Sequence, residues 1–141
     1  MEQEGTMRRP TIVCIDDNLD TLLGYQSLLW NHDYNVLIST SGSQGLELVK
    51  SLPIDAVILD FQMPGMDGGM VATHIKSFKP DVPVMMLTAQ ESLPDEVLEH
   101  VDVLFPKGES PRELLVALHA MLGHWMPLNA RWLRDGQAKA A

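Results

Sequence analysis

The chain has 141 residues, which suits one domain of ordinary size and is too few for two. Apolar residues make up 45% and charged residues 21%, a composition that excludes a disordered, charge-rich tail and a membrane protein. Ten Lys and Arg against nineteen Asp and Glu leave a net charge of −9, which repels phosphate backbones and anionic membranes. We therefore expect a globular protein that binds neither nucleic acid nor membrane directly.

The two ends of the chain differ in pattern from its middle. Residues 1–10 are polar, without periodicity or the apolar stretch of a secretory signal, and predict a flexible leader. Residues 11–125 carry a regular alternation of elements and predict the domain, while residues 126–141 predict a tail or an extension of the last helix. The single cysteine, Cys14, cannot form an internal disulfide, which favours a reducing, cytoplasmic location and a small buried side chain.

Short apolar runs alternate with helical segments along the domain. In chain order, the runs that predict strands are residues 12–15, 36–38, 56–59, 84–87 and 101–105. The second run is the shortest and suits a sheet edge, whereas the other four predict strands buried on both faces. Strands that alternate with helices pair in parallel through right-handed crossovers, so the chain predicts a doubly wound α/β sheet.

The segments between the strands place apolar residues at helical spacing. The stripes expected to be buried are Leu19, Leu22, Leu23 and Leu29, then Leu46, Val49 and Leu52, and then Val71, Ile75 and Phe78. The last helix has the clearest start, because Ser110, Pro111 and Glu113 supply an N-cap, a first-turn proline and a capping-box acid. Its expected apolar face is Leu114, Leu115, Leu118, Met121, Leu122 and Trp125.

Polar residues follow the predicted central strands. Asp16 and Asp17 end the first strand, Asp60 the third, Thr88 the fourth and Lys107 the last. In doubly wound sheets ligands bind at the carboxyl ends of the strands, so these side chains are expected to converge. Three neighbouring carboxylates either hold protons or recruit a hard cation, for which Mg²⁺ is the natural choice. Three acids, one cation and one lysine describe a phosphoryl-transfer site.

Each of these residues also has a purely structural interpretation. The two aspartates with Asn18 suit a cap for the first helix, and an aspartate before a Met-Pro-Gly turn is often part of the turn. Thr88 suits a cap for the next helix, and Lys107 suits a solvated loop charge. Their joint position at strand ends favours the phosphoryl-transfer interpretation. The five histidines have no metal-ligand spacing, so no zinc site is expected.

Four stretches of sequence carry a family resemblance. They are IVCIDDN at residues 12–18, VILDFQMPGMDG at 57–68, MLTA at 86–89 and FPKG at 105–108. With them the sequence resembles a response regulator receiver domain, the CheY-like phosphoacceptor module of two-component signalling. The resemblance spans residues 11 to about 125 and implies a CheY-like, flavodoxin-like (βα)5 fold with strand order 2-1-3-4-5.

The resemblance also implies roles for particular residues. Asp60 would accept a phosphoryl group from a histidine kinase or a histidine phosphotransfer protein, and the signal would pass by contact to a downstream protein. The implied magnesium ligands are Asp17, Asp60 and the backbone carbonyl of Gln62, with Asp16 acting through water. The implied ligands of the phosphoryl oxygens are Thr88 and Lys107. No enzymatic turnover is expected of such a module.

The sequence departs from the family pattern around its last strand. Leu104 stands three residues before the lysine, where the family typically has a Tyr or Phe that acts as a switch, and the usual proline after Lys107 is absent. Eighteen residues separate Thr88 from Lys107, about one helical turn fewer than usual, and Pro94 lies among them. We expect the fourth helix to be short or irregular, and the output mechanism to differ from that of the family.

Three other functions fit parts of the pattern. A degenerate receiver could serve as an unphosphorylated interaction scaffold. An aspartate-nucleophile phosphatase would need a second acid two residues after its nucleophile, where Gln62 stands. A flavin-binding electron carrier would need a phosphate-binding loop after the first strand, where Asp16 and Asp17 would repel a phosphate.

Overall fold

A parallel sheet of five strands lies at the centre of the structure, a computed structural model that describes residues 9–123. The strands are β1 Thr11–Ile15, β2 Asn35–Ser39, β3 Ala56–Asp60, β4 Val84–Thr88 and β5 Val103–Pro106. Their order across the sheet is β2-β1-β3-β4-β5, with every neighbouring pair parallel. The predicted doubly wound sheet, its strand order and the edge position of β2 are confirmed. Residues 1–8 of the predicted leader, Trp125 and the predicted tail lie outside the described residues.

Five helices connect and follow the strands: α1 Leu19–Trp30, α2 Gly42–Ser51, α3 Gly68–Phe78, α4 Asp95–Leu98 and α5 Pro111–Met121. Side chains of α1 and α5 pack on one face of the sheet, and those of α2, α3 and α4 on the other. Ser110 caps α5 as predicted, since its side chain accepts a hydrogen bond from the Glu113 amide. No helix within residues 9–123 has the length and apolarity that a membrane crossing requires.

The core consists of two apolar layers, one on each face of the sheet. Successive strand residues point to opposite faces, so Ile12 and Cys14 of β1 pack with α1 and α5, whereas Val13 and Ile15 pack with α2 and α3. Every residue of β3 and β4 is buried, which confirms the prediction for these strands. Packing on both faces holds β3 and β4 in place, and these strands end in Asp60 and Thr88.

The last strand starts two residues later than predicted and ends one residue later, at Pro106. It begins at Val103 instead of residue 101, because Asp102 turns toward the start of β4: its backbone N–H donates to the Val84 carbonyl, and its carboxylate accepts from the Val84 N–H and from Lys76 at 2.8 Å. Val101 is buried in the turn that closes α4. Because β5 is the second edge of the sheet, Leu104 is only half-buried and Pro106 is exposed, so the predicted burial on both faces does not hold for this strand.

The apolar stripe predicted for α1 is only half buried. Leu22 and Leu29 are fully buried, but Leu19 and Leu23 are 51% and 46% exposed. The helix packs over β1 and the edge strand β2, so the sheet ends before it covers the whole stripe. Leu52 also differs from the prediction, since it follows α2 as its C-cap and is exposed.

Candidate functional site

Three carboxylates meet at the carboxyl ends of β1 and β3. Asp16 and Asp17 directly follow β1, and Asp60 is the last residue of β3, its neighbour in the sheet. One carboxylate oxygen from each residue can be chosen so that all lie within 4.8 Å of one another. The register that pairs Ile15 with Leu59 brings these acids together from positions more than forty residues apart in the chain.

The three acids differ in their surroundings. Asp16 and Asp60 are 4% and 2% exposed, whereas Asp17 is exposed to solvent. Burial raises the pKa of Asp16 above its usual range, and the neighbouring charges of Asp60 and Asp17 raise it further. A hydrogen bond of 2.9 Å from the backbone N–H of Asn18 lowers the pKa of Asp16, and so does the charge of Lys107. The pocket therefore concentrates negative charge where water cannot fully solvate it.

Lys107 supplies a positive charge to this pocket. Its Nζ lies 2.7 Å from Oδ1 of Asp60, and its backbone N–H donates to the Thr88 carbonyl at 2.9 Å. The chain then turns at Gly108, whose φ of +95° lies in the left-handed region that favours glycine. Oδ1 of Asp60 is buried and has no partner in hydrogen-bond geometry within residues 9–123. The Lys107 ammonium is thus the ion-pair partner of this oxygen, at an angle outside hydrogen-bond geometry.

Thr88 completes the row of polar residues along the sheet. It ends β4, is 3% exposed, and stands beside Pro106 in the pairing with β5. Its Oγ1 accepts a hydrogen bond of 2.9 Å from the Gln90 amide. Because a hydroxyl can donate while it accepts, the Thr88 hydrogen remains available to a ligand in the pocket.

The structural interpretations of these residues hold only in part. Asn18, not either aspartate, caps α1, because its side chain accepts from the Thr21 amide. The loop that follows Asp60 leads to α3, which is capped by Asp67. Thr88 does not cap the next helix, because the N-cap of α4 is Pro94; its hydroxyl instead accepts from the Gln90 backbone N–H in the turn after β4.

Gln62 lies in the loop directly after β3 and is exposed. The proposed role of its carbonyl stays a prediction.

Two residues at or near the site were given no role by the sequence interpretation. Gly68 lets the loop fold back on the strand end: a Cβ there would lie 2.5 Å from the Asp60 carbonyl oxygen, and its N–H donates to the Phe61 carbonyl at 2.7 Å. Tyr25 of α1 lies near the pocket, where burial, with charges that include Asp16, raises its pKa to about 12. The glycine pair after Asp67 was a usable signal, whereas nothing in the sequence distinguishes Tyr25.

Cys14 is fully buried in β1, as predicted. Burial, with a smaller contribution from Asp16, raises the pKa of its thiol to about 12. A thiol that stays protonated is a poor nucleophile, so the cysteine is a core residue.

The fold and this pocket together define a class of protein: a doubly wound parallel module with an acidic pocket consistent with phosphoacceptor function. The family described as the response regulator receiver domain matches residues 12–118. The chain belongs to this family, whose members are signalling modules rather than enzymes and are phosphorylated by histidine kinases. The acidic triad is typical of the magnesium-binding receiver site.

Relatives and solved structures agree with this assignment. Response regulator MprA of Mycolicibacterium vanbaalenii is 31% identical over 119 residues, which are 82% of this chain and 52% of that protein. The chain thus spans about half the length of the curated relative. The structure of response regulator TrrA of Thermotoga maritima in complex with Mg²⁺-BeF is 26% identical, covers 79% of this chain and 98% of its own, and has a TM-score of 0.75.

A CheY-like receiver domain protein from Methanospirillum hungatei shows the fold alone. It is 22% identical, covers 94% of this chain and 99% of its own, and has a TM-score of 0.77.

Proposed function

We propose that Asp60 accepts a phosphoryl group from a histidine kinase or a histidine phosphotransfer protein, in a reaction that needs Mg²⁺. The proposal also holds that the phosphorylated form signals through contact with a downstream protein. The observation that carries it is the buried Asp60 carboxylate, held at a strand end with two acids close by and the Lys107 ammonium 2.7 Å away. The same proposal takes residues 11–125 as the domain, in agreement with the family match at 12–118, and a cytoplasmic location.

The transfer itself asks little covalent chemistry of the protein. A carboxylate oxygen of Asp60 attacks phosphorus in line, and the P–N bond of the donor phosphohistidine breaks. The electron pair of that bond stays on the imidazole nitrogen, which then takes a proton. Lys107 neutralises the phosphoryl oxygens, and the Thr88 hydroxyl donates a hydrogen bond to one of them.

The donors in the pocket suit a magnesium ion. They are carboxylate oxygens of three acids that lie within 4.8 Å of one another, and two of these acids are buried. Asp17, Asp60 and the Gln62 carbonyl would hold the ion, with Asp16 acting through water. When bound, the ion neutralises the repulsion between the acids and the incoming phosphoryl oxygens.

Intact mass measured after incubation with a small phosphodonor tests the chemistry without the natural kinase. We expect one phosphoryl group, added only with Mg²⁺ and released by hydroxylamine as an acyl phosphate. Asp60→Asn should remove the label, whereas Asp81→Asn, in the exposed loop before β4, should keep it. A label that survives in Asp60→Asn, or that resides on histidine or serine, would contradict the proposal. No label under any condition would favour the unphosphorylated scaffold.

A further inference from the structure

The outer edge of β2 presents unpaired backbone groups. Within residues 9–123, β2 pairs only with β1. The Asn35 N–H donates to the Pro10 carbonyl, and the Ser39 carbonyl accepts from the Asp16 N–H, so the odd-numbered residues of β2 face β1. Alternate residues of a strand direct their N–H and C=O groups to opposite sides. The groups of Val36 and Ile38 therefore point outward along the open edge.

Apolar side chains flank this edge. A groove of about 730 Å³ runs along it, with Leu23 and Trp30 of α1 among its lining residues and Leu52 and Pro53 after α2 among the others. Leu23, Trp30 and Leu52 are 46%, 53% and 39% exposed, and they are three of the five large hydrophobic residues exposed in the described part of the chain. Clustered exposure of this kind, beside a strand edge, is typical of an interaction surface.

The groove carries no charge in a protein whose net charge is −9. None of its lining residues is Asp, Glu, Lys or Arg. Arg9, which stacks 4.1 Å from the centre of the Trp30 ring, is paired with Asp33 at 3.5 Å. The edge strand Asn35–Ser39 also contains no lysine or proline, residues that commonly protect open edges from pairing. Two copies that meet at this groove therefore bring no charged lining residues against each other.

We propose that a second copy of this chain docks on the edge, with the two β2 strands antiparallel about a two-fold axis at Leu37. In this register Val36 of each copy lies opposite Ile38 of the other, and each such pair exchanges two backbone hydrogen bonds. Leu37 meets its own copy in the close, non-hydrogen-bonded pair between them. The outward groups are thus satisfied by an identical strand, with no register shift.

The flanking side chains support the same arrangement. A two-fold axis perpendicular to the sheet keeps both copies of α1 on one face, where Leu23 and Trp30 of each copy can cover the new strand pair. Leu52 and its copy lie along the same junction. A copy of the chain is the occupant that this surface favours, because its β2 pairs the outward groups of Val36 and Ile38 in register, while the groove offers no charged residue to select a charged partner.

Sedimentation of the full, unphosphorylated chain over a wide concentration range tests the proposal independently of Asp60. The weight-average sedimentation coefficient should rise with concentration toward that of a dimer. Leu23→Glu should weaken the association at least tenfold, because two like charges would meet beside the axis. Met70→Glu on α3 is the matched control, since Met70 is 48% exposed and lies outside the groove, and it should associate like the wild type. A chain that stays monomeric throughout, or an equal effect of both variants, would overturn the proposal.

Hydrogen exchange followed by NMR tests the register. The amides of Val36 and Ile38 should gain protection as concentration rises, and the Met70→Glu control should show the same gain. Val36→Pro removes an outward N–H that β1 does not use, so it should reduce dimerisation and leave the monomer fold intact. Protection of both amides at every concentration in a monomeric chain would show that another segment of the same chain covers the edge, and the second copy would be excluded.

Discussion

The carboxylate of Asp16 shows what the acidic pocket costs the folded protein. It is 4% exposed, and burial raises its pKa above the usual value of 3.8. A raised pKa means that ionised Asp16 is less stable in the folded state than in the unfolded chain. The loss of folding stability caused by ionised Asp16 is absent below pH 3.8, grows as pH rises, and is complete above the pKa that Asp16 has in the folded protein. In the absence of a cation, Asp16 therefore lowers stability at neutral pH.

Replacing Asp16 should reveal that penalty. Asp16→Asn keeps an oxygen that can accept from the Asn18 amide and removes one charge. Without Mg²⁺ at pH 7, we expect the variant to be more stable by about 1 kcal/mol, a rise of roughly 4 °C in Tm. Thermal unfolding from pH 4 to pH 7 measures this, and the advantage should shrink toward acid pH. Asp81→Asn is the control, and an unchanged or lower Tm for Asp16→Asn would contradict the interpretation.

Gly68 is the second residue at which the pocket constrains the sequence. A side chain there would meet the Asp60 carbonyl oxygen at 2.5 Å, so the loop must shift. We expect Gly68→Ala to destabilise the protein by about 1–3 kcal/mol and to slow labelling by a phosphodonor. Gly24→Ala is the control: Gly24 lies within α1, an added Cβ would meet no atom of another element within 4 Å, and the change should stabilise by about 0.5–1 kcal/mol. Equal denaturation midpoints for the two variants would show that the close approach is unimportant.

At the scale of elements, the segment from α4 to β5 is where this chain departs most from its family pattern. The helix α4 has four residues, as the short spacing and Pro94 predicted. Leu104 is half-buried, and it packs against the apolar layer to which α3 and α4 also contribute. Asp102 ties the start of β5 to Lys76 and to β4. These contacts hold the amino-terminal ends of β4 and β5 together, at the edge of the sheet opposite the acidic pocket.

Leu104 gives a prediction about conformational coupling. Phosphorylation shifts a conformational equilibrium only by the difference in free energy with which it stabilises the two conformations. A leucine that moves between two positions changes less buried area than an aromatic ring does. We expect beryllofluoride with Mg²⁺ to shift amide NMR signals strongly near Asp60, Thr88 and Lys107, but only modestly in α5. Leu104→Tyr should enlarge the response of α5, whereas Leu104→Met, of similar volume, should not. Large wild-type shifts throughout β5 and α5 would show that Leu104 does not limit coupling.

The whole molecule responds to its site through linkage between metal binding and folding. A cation that binds the folded pocket, and not the unfolded chain, stabilises every element of a cooperative domain. At ten times its dissociation constant, Mg²⁺ should add roughly 1.4 kcal/mol to the free energy of unfolding. Mn²⁺ should act similarly, whereas Zn²⁺ should show no specific effect, because the described histidines form no ligand cluster with the acids.

The matched variants for this effect are two neighbouring aspartates. Asp17→Asn should abolish the stabilisation by Mg²⁺, since Asp17 belongs to the triad. Asp20→Asn, in the exposed first turn of α1, should retain it. Thermal unfolding with and without the ion measures both. Tight, stoichiometric zinc binding by calorimetry, or loss of the magnesium effect in both variants, would contradict the assignment of the triad.

Much of the fold and of the pocket follows from the sequence alone. Apolar runs with no alternation indicated strands buried on both faces, and β1, β3 and β4 have that burial. Ser110 correctly predicted the start of α5, because an N-cap depends only on residues within one helical turn. The convergence of Asp16 and Asp60 was also predictable, because parallel strands all end at one edge of the sheet.

Tertiary structure decided what depends on neighbours distant in the chain. The sequence does not show which of Asp16 and Asp17 is buried, yet packing buries the first and leaves the second in solvent. It likewise predicted one continuous stripe on α1, whereas the sheet ends beneath that helix and leaves Leu23 exposed. Periodicity and caps are local and can be read from adjacent residues. Burial at an edge depends on which strand lies beside it, and only the assembled sheet determines that.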